Sequence, residues 1–390
     1  MSDREIENGQ VVKLSHVSGN LRIGRNVTLI AEKDTIVVNG SIICKGDLIC
    51  EGSLQARNLK VREGDVEING NLELEQYLSV DKKLEISRNL ICPEVSVGGT
   101  LVVEGDLKSD TVSIGGTAKL GGTVYVESLK VGGTLKIYDE SNIGTLKVGG
   151  TVKLEAKSEV EEISVGGTLK VLGGIFQKID VGGSFRADEY VEIENINVGG
   201  TVKVNADAKI VNLDVGGTFK SDGNLDFGKL NVGGIIAILG NAEGDSIDVG
   251  GTLICEENLT CKNLINVGGT CTIGKVLTGD TIRIGGKVEA ALIFAKLFEI
   301  GKRGEVEATV SSDKIIIQSH ATANDLYGKE IRLEENCRVG NIYGEDIVVE
   351  EGVRIRGEIQ YTKDIFIEKS ANLATEPKKV KSLPSAKAKK

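Results

Sequence analysis

The sequence contains no tryptophan, one methionine and two histidines, and aromatic residues make up 4% of it. His16 and His320 are too few for a three-histidine zinc site and lie far apart, so zinc enzymes and enzymes with a histidine base gain no support. No stretch approaches the ~20 apolar residues of a membrane helix. The first residues also lack the basic and apolar series of a secretory signal peptide. We therefore expect a soluble, cytoplasmic protein.

Signs of a disulfide framework, a bound nucleotide or a nucleic-acid partner are missing as well. None of the seven cysteines belongs to a C-x-x-C pair, and their number is odd. Cys255 and Cys261 stand at repeat positions that Val204 and Ile210 occupy in another repeat. No P-loop lysine and hydroxyl residue follow the glycines, and the net charge of −10 argues against a basic nucleic-acid surface. We predict seven buried, reduced thiols, no cofactor or metal, no small-molecule substrate and no specific nucleic-acid partner.

Glycine, in contrast, is abundant, with 51 residues, and it recurs in near-identical V-G-G-T corners. The first glycines of the corners are Gly98, Gly115, Gly132, Gly149, Gly166, Gly182, Gly199, Gly216, Gly233, Gly250, Gly268 and Gly285. Their spacing of about 17 residues is the signature of a stacked repeat architecture. Paired glycines suit a corner that needs either a positive φ or a close approach of two backbones.

Apolar residues keep constant positions between the corners. Each repeat carries three pairs whose members are separated by one residue, the period-2 pattern of a strand with one buried face. Around Gly199 these pairs are Ile196/Val198, Val202/Val204 and Ala208/Ile210. Three short strands per repeat predict an all-β protein, a single-stranded parallel β-helix with triangular coils of about 17 residues. Right-handed crossovers are the rule for parallel strands, so we expect a right-handed helix.

The same alternation extends beyond the V-G-G-T array on both sides, between Leu21 and Ile86 before it and between Phe298 and Ile367 after it. We therefore predict a short polar segment at 1–11, a continuous β-helix of roughly 20 coils at 12–373 with its regular coils at 97–286, and a disordered lysine-rich tail at 374–390. The six lysines of this tail fit a solubilising end that shields the last coil, and as the alternative they fit a tether to an acidic partner or a membrane surface.

One outward column of the predicted coils is basic. It is formed by the residue four positions after the first glycine of seven successive corners: Lys119, Lys136, Lys153, Lys170, Arg186, Lys203 and Lys220. Like charges stacked at the spacing of neighbouring strands repel one another. We therefore expect this basic ladder to lean on neighbouring acids such as Glu155 and Asp222, or to bind an anionic partner along the side of the coils.

The stretch Val348–Ile359 reads V-V-E-E-G-V-R-I-R-G-E-I. Together with the short coils, the glycine-rich corners and the polar ends of the chain, it resembles bactofilins, the polymer-forming cytoskeletal proteins. The resemblance implies a right-handed triangular β-helix that polymerises end to end, without nucleotide, into filaments. It therefore implies a non-enzymatic structural protein whose main partner is another copy of itself.

The end coils offer a physical reason for such assembly, because an uncovered strand edge is a template for pairing with another chain, and the sequence shows no amphipathic capping helix. We predict contact residues in the first and last coils, with Phe366 and Ile367 as the apolar anchors. The predicted set is Leu14, Leu21, Ile23, Tyr361, Ile365, Phe366 and Ile367.

Two other function classes remain open from the sequence. One is a monomeric β-helical scaffold or accessory subunit of a larger complex, which would stay a discrete particle when purified alone. The other, less favoured, is a β-helical enzyme, which requires convergent polar groups in a cleft. The sequence supplies no such set of residues.

Overall fold

The computed structural model describes residues 3–386 of the chain. Their strands form a parallel β-solenoid of about 22 turns with about 17 residues per turn, and no helix occurs among them. This confirms the all-β parallel solenoid predicted from the sequence, and the turn count is close to the one expected. Within the described range no helical segment has the length and apolarity needed to cross a membrane.

The chain divides into two compact units, Met1–Ile193 and Glu194–Lys390. The strands that begin in the first unit are β1 (Arg4–Ile6), β2 (Val11–Leu14), β3 (His16–Val17), β4 (Leu21–Ile23), β5 (Val27–Cys44), β6 (Leu48–Val61), β7 (Val66–Ile68), β8 (Leu72–Val80), β9 (Lys83–Ile86), β10 (Leu90–Ile91), β11 (Glu94–Val97), β12 (Thr100–Val103), β13 (Leu107–Ile114), β14 (Thr117–Leu120), β15 (Val124–Val131), β16 (Thr134–Ile137), β17 (Ser141–Val148), β18 (Thr151–Val165), β19 (Thr168–Val181), β20 (Ser184–Ala187) and β21 (Val191–Val198).

The second unit is built from the same repeating coil. The strands that begin in it are β22 (Thr201–Val204), β23 (Ala208–Val215), β24 (Thr218–Ser221), β25 (Leu225–Val232), β26 (Ile235–Ile238), β27 (Ala242–Val249), β28 (Thr252–Cys255), β29 (Leu259–Val267), β30 (Thr270–Ile273), β31 (Val276–Ile284), β32 (Lys287–Ile300), β33 (Glu305–Ile317), β34 (Thr322–Ala323), β35 (Leu326–Leu333), β36 (Arg338–Val339), β37 (Ile342–Val349), β38 (Arg354–Ile355), β39 (Ile359–Ile367), β40 (Asn372–Leu373) and β41 (Lys378–Lys379).

The alternation in the sequence becomes the core of the solenoid. In the first unit, the apolar pairs between Leu21 and Ile86 all point inward and are at most 4% exposed. In the second unit the same holds for the pairs between Phe298 and Val349, each at most 2% exposed. Burying one such side chain contributes about 1.5–3 kcal/mol. Each coil therefore stabilises its neighbours through three short apolar sides.

Neighbouring coils pair in a constant register. In the first unit Leu107 stands opposite Val124, a step of one repeat, and the same step is kept as far as Ile114 and Val131. The second coil departs from this step, because the ladder shifts register between Ile30 and Thr35, where extra residues enlarge one corner. The solenoid accepts the insertion at a corner because the strands on either side keep their pairing.

The corner glycines are required by close approach rather than by backbone conformation. A Cβ at Gly132 would lie 2.1 Å from the carbonyl oxygen of Gly115 in the coil before, and a Cβ at Gly285 would lie 2.2 Å from that of Gly268. No side chain tolerates such a contact with a backbone oxygen. The described glycines with positive φ are Gly9, Gly52, Gly174 and Gly352, none of which belongs to a V-G-G-T corner.

The cysteines are core residues, as predicted. All seven are free and buried: Cys44, Cys50, Cys92, Cys255, Cys261, Cys271 and Cys337. Burial raises the pKa of Cys50 to about 12 and the pKa of Cys337 to about 11. These thiols therefore pack as small apolar groups and remain protonated at neutral pH.

Regular structure begins earlier than the sequence suggested. β1 pairs in parallel with Leu21–Ile23, and Ile6 is 2% exposed. The first coil therefore starts at β1 rather than at residue 12, and the segment 1–11 is not only a polar extension. A three-residue strand with one buried side chain carries too little alternation to be recognised from the sequence.

The tail also contains regular structure. β41 pairs with Gln360 and Tyr361 of β39, so the predicted disorder of residues 374–390 does not hold for these two lysines. Lys387, Lys389 and Lys390, half of the charge expected for the tail, lie outside the described residues.

Candidate functional site

The last coil ends the solenoid of the second unit with an open edge. Its segment Ile365–Ile367 pairs with Ile347–Val349 of the coil before, and β40 pairs with β38. No further strand of the described residues pairs with either segment. Their outer backbone N–H and C=O groups therefore form an edge that can accept a strand from another chain.

The inward side chains of this last coil are more exposed than those one coil earlier. Ile347 and Val349 are 2% and 0% exposed, whereas Ile365 and Ile367, which follow them in register, are half-buried. Leu373 on the next side is half-buried for the same reason, since no further coil covers it. The end thus presents aliphatic side chains to solvent, and their burial would be favourable by about 25 cal/mol per Å².

An outward aromatic residue lies beside this open edge. Phe366 is 57% exposed, and its neighbour in register, Val348, is 39% exposed. Tyr361 lies on the side of the coil that the tail covers, where the Lys379 Nζ is 5.7 Å from the centroid of its ring. The predicted C-terminal contact residues are therefore brought together at one end, with Tyr361 on its covered side.

The predicted N-terminal contact residues are buried, which corrects that part of the prediction. Leu14, Leu21 and Ile23 are 2%, 0% and 2% exposed, and the last two belong to the second coil, which β1 covers. The N-terminal edge consists instead of β1, β2 and β3, which among the described residues pair only with strands of the second coil. Val11 of β2 is 67% exposed at this edge.

The basic ladder forms a column in each unit. In the first unit Lys119, Lys136, Lys153, Lys170 and Arg186 stand opposite one another in successive coils. In the second unit Lys203 stands opposite Lys220. The offset read from the sequence therefore corresponds to one outward position on the coil.

Acidic residues between the basic side chains reduce their repulsion. Glu155 and Asp222, the two acids named from the sequence, are joined in this role by Asp188. The ion pairs are Lys136–Glu155 at 3.0 Å, Lys153–Glu155 at 2.5 Å, Lys170–Asp188 at 2.7 Å, Arg186–Asp188 at 2.7 Å, Lys203–Asp222 at 3.3 Å and Lys220–Asp222 at 3.2 Å. Hydrogen bonds from Lys153 and then Lys136 hold the pKa of Glu155 below its usual range. Use of the ladder as a lateral binding surface stays a prediction.

A groove of about 790 Å³ lies on the second unit. Its lining includes Glu289, Glu305 and Glu307 together with Arg338 and Arg356, and none of the residues that line it is a histidine or a cysteine. Within residues 3–386 no three histidine, cysteine, aspartate or glutamate side chains form a group that could hold a metal ion. The groove combines charges of both signs on an open surface.

Sequence reasoning missed the strand β41 at the covered side of the C-terminal end. Its two lysines carry no apolar alternation, and by register the inward position beside Ile359 falls to Pro377. The sequence did contain one indication of this strand. The number of residues from Gln360 to Lys378 equals the coil length from Ile347 to Ile365. Backbone pairing rather than side-chain burial defines this strand.

Part of the chain matches a known family. Residues 264–360, about a quarter of the chain, match the family model described as bactofilin, polymer-forming cytoskeletal. The matched range includes Val348–Ile359, the stretch that carries the resemblance in the sequence. Comparisons with curated proteins and with solved structures give no significant match. The resemblance to bactofilins, a family of polymer-forming cytoskeletal proteins, is therefore confirmed over residues 264–360.

Proposed function

We propose that this protein is a non-enzymatic subunit of a cytoskeletal filament and that it assembles end to end through its terminal coils. The family match supports polymerisation. The end-to-end geometry rests on the open C-terminal coil, where Ile365 and Ile367 are half-buried beside an unpaired strand edge. A second copy on this edge would extend the β-ladder and cover the same side chains that the next coil covers elsewhere.

The proposed assembly uses no nucleotide. The surfaces that meet are strand edges and aliphatic side chains, and the glycine-rich corners are not free to form a phosphate-binding loop. The amide of Gly285, for example, donates to the Val267 carbonyl oxygen at 2.8 Å. Corner amides that are engaged with the neighbouring coil cannot also cradle a phosphate group.

Negative-stain electron microscopy of the purified full-length protein tests this proposal. We expect unbranched filaments, whose number rises with protein concentration and does not change when nucleotide is added. Discrete particles that remain single at every protein concentration would contradict self-assembly and would favour the monomeric scaffold.

A pair of matched variants locates the contact. Phe366→Asp places a charge on the last coil, and Val348→Asp places the same charge at the same outward position one coil earlier. Both residues are exposed, so both variants should keep the far-ultraviolet circular dichroism of the parent. We expect Phe366→Asp to reduce the sedimentable fraction at least about tenfold, since an unpaired charge in an apolar contact costs more than 1.4 kcal/mol.

Val348→Asp is the control and should assemble nearly as well as the parent protein. Equal loss in both variants would indicate a lateral contact along this column rather than an end contact. Filaments that persist unchanged in Phe366→Asp would remove this residue from the assembly surface.

A further inference from the structure

The tail occupies one side of the C-terminal edge. β41 pairs with Gln360 and Tyr361, and the Val380 N–H donates to the Tyr361 carbonyl oxygen at 2.8 Å. The Nζ of Lys379 donates to the Lys363 carbonyl oxygen at 2.7 Å. These bonds engage backbone groups that a strand of a second copy would need on this side of the last coil.

Beyond β41 the tail lies along the outside of the preceding coils. Residues 383–386 line a groove of about 490 Å³ together with Phe294, Tyr327 and Tyr343. The three aromatic residues stand in one outward column, in which Ser311 separates Phe294 from Tyr327. The two tyrosine rings stack with centroids 4.6 Å apart and planes 22° from parallel. The tail thus follows this aromatic column.

This second contact is loose. Leu383 is half-buried, whereas Pro384 and Ser385 are exposed, and space remains between the tail and the aromatic column. Phe294 at the far end of the column is still 41% exposed. A two-residue strand and a partly filled groove hold a segment less firmly than a full side of a coil does, so this segment belongs to the part of the fold that opens most easily.

We propose that the aromatic groove and the edge of β39 together bind residues 378–386 of the chain's own tail, and that the tail competes with a second copy of the protein for this edge. The inference rests on the proposed end-to-end assembly. While the tail is bound, one side of the last coil is taken. Its release opens all three sides, and the apparent affinity between copies equals the affinity of released chains multiplied by the fraction of chains that are released.

Two truncated chains and two point variants of the full-length chain test the competition. One chain ends at Thr375 and lacks the whole tail strand, and a control chain ends at Ala386 and loses only the last residues with their three lysines. Val380→Pro removes the N–H that bonds to Tyr361 without changing length or charge, and Ser382→Pro, at an exposed position outside the strand, is its control.

The readout is the protein concentration at which material first sediments. We expect the chain ending at Thr375 and Val380→Pro to lower this concentration several-fold, and the two controls to leave it unchanged. A tenfold drop corresponds to a tail that is released in about one chain in ten. Equal effects of both truncations would assign the change to charge, and a loss of assembly in the shorter chain would make the tail part of the contact. Either result overturns the competition.

A second measurement separates this inference from the proposed function. Hydrogen exchange is measured on the intact protein at concentrations below assembly and followed in the proteolytic peptide that covers residues 376–386. The Val380 amide should be protected in the parent protein and in Ser382→Pro, whereas Val380→Pro has no amide hydrogen at this position. If every form assembles equally, competition fails and filament formation stands. If no form assembles, the proposed function fails and competition fails with it, while exchange still reports whether the tail is bound. Absence of protection would overturn the tail contact itself.

Discussion

The first and last coils of the chain end their ladders in different ways. At the N-terminal end the inward side chains Ile6, Leu14 and Val17 are 2%, 2% and 4% exposed. At the C-terminal end the inward residues Ile365 and Ile367 are half-buried. Both ends have an open strand edge and some uncovered aliphatic surface, because Val11 is 67% exposed and Val12 is half-buried at the N-terminal end. Three inward side chains of the first coil are nevertheless fully buried, whereas neither of the two in the last coil is.

This difference teaches that strand edges and apolar surface are separate contributions to an assembly contact. An edge supplies directional hydrogen bonds, each worth about 0.5–1.5 kcal/mol net, whereas aliphatic area supplies a non-directional gain. The C-terminal end has both and also has a tail strand that covers one side. The tail strand therefore lies at the end whose inward side chains are the less completely buried.

The largest expected effect comes from removing one inward side chain at each end. Ile6→Ala should destabilise the first coil by about 2–4 kcal/mol, because a buried isoleucine is lost, and Ile367→Ala should cost about half as much or less. Hydrogen exchange of the affected end strands measures both values, since a solenoid can open from its ends. Equal costs at the two ends would contradict the comparison. Assembly should suffer more from Ile367→Ala.

A second test uses two buried thiols near the ends. Cys44 and Cys337 are both 0% exposed, so a maleimide at pH 7 reaches them only after local opening. We expect Cys337 to be labelled several-fold faster than Cys44 in the unassembled protein, because the coil beyond Cys337 is less well packed. Assembly should lower the labelling rate of Cys337 and leave that of Cys44 unchanged. Mass spectrometry of the labelled peptides measures both rates. Faster labelling of Cys44 would contradict this expectation, because it would mean that the N-terminal end opens more readily than the C-terminal end.

The pH dependence of this labelling follows from the thiol pKa. Burial raises the pKa of Cys337 from its ordinary value of 9.0 to about 11. The stabilisation that comes from keeping this thiol neutral is therefore complete below about pH 9 and is lost as the pH rises through 11. Between pH 7 and pH 9 the labelling rate should follow ionisation of the opened thiol, while the folded thiol stays unreactive.

The smallest effect is expected on the side of the coils. Glu155→Gln removes the acid shared by Lys136 and Lys153 but should change the free energy of unfolding by less than about 1 kcal/mol, since these are surface ion pairs. The pKa of Glu155 lies below its usual value, so its contribution is present above that value and is lost as the pH falls through the lowered pKa. Denaturant titration at two pH values measures this. Sedimentation should be unaltered, and a salt-dependent change would give the basic ladder a part in assembly.

Much of this arrangement could be predicted from the sequence, because alternation reports burial directly. Every pair between Leu21 and Ile86 is in the core. The end coils were harder to predict, because a coil is terminal only when no further strand pairs with it, and this leaves no apolar pattern in the sequence. Leu21 and Ile23 look terminal only if β1 is overlooked, and β41 is held by backbone bonds that leave no mark on side-chain pattern. Sequence patterns report buried faces well and edges poorly.

The stacked corner glycines bear on how such a chain changes over evolutionary time. Gly132 fits against Gly115, and Gly115 fits against Gly98 in the same way, each with only 2.1 Å between a hypothetical Cβ and the carbonyl oxygen below. Because the fit joins equivalent residues of adjacent repeats, duplication or loss of a whole repeat recreates it without a compensating mutation. A single-residue insertion does not. Unequal recombination within the array can therefore adjust the number of coils while both terminal surfaces are inherited intact.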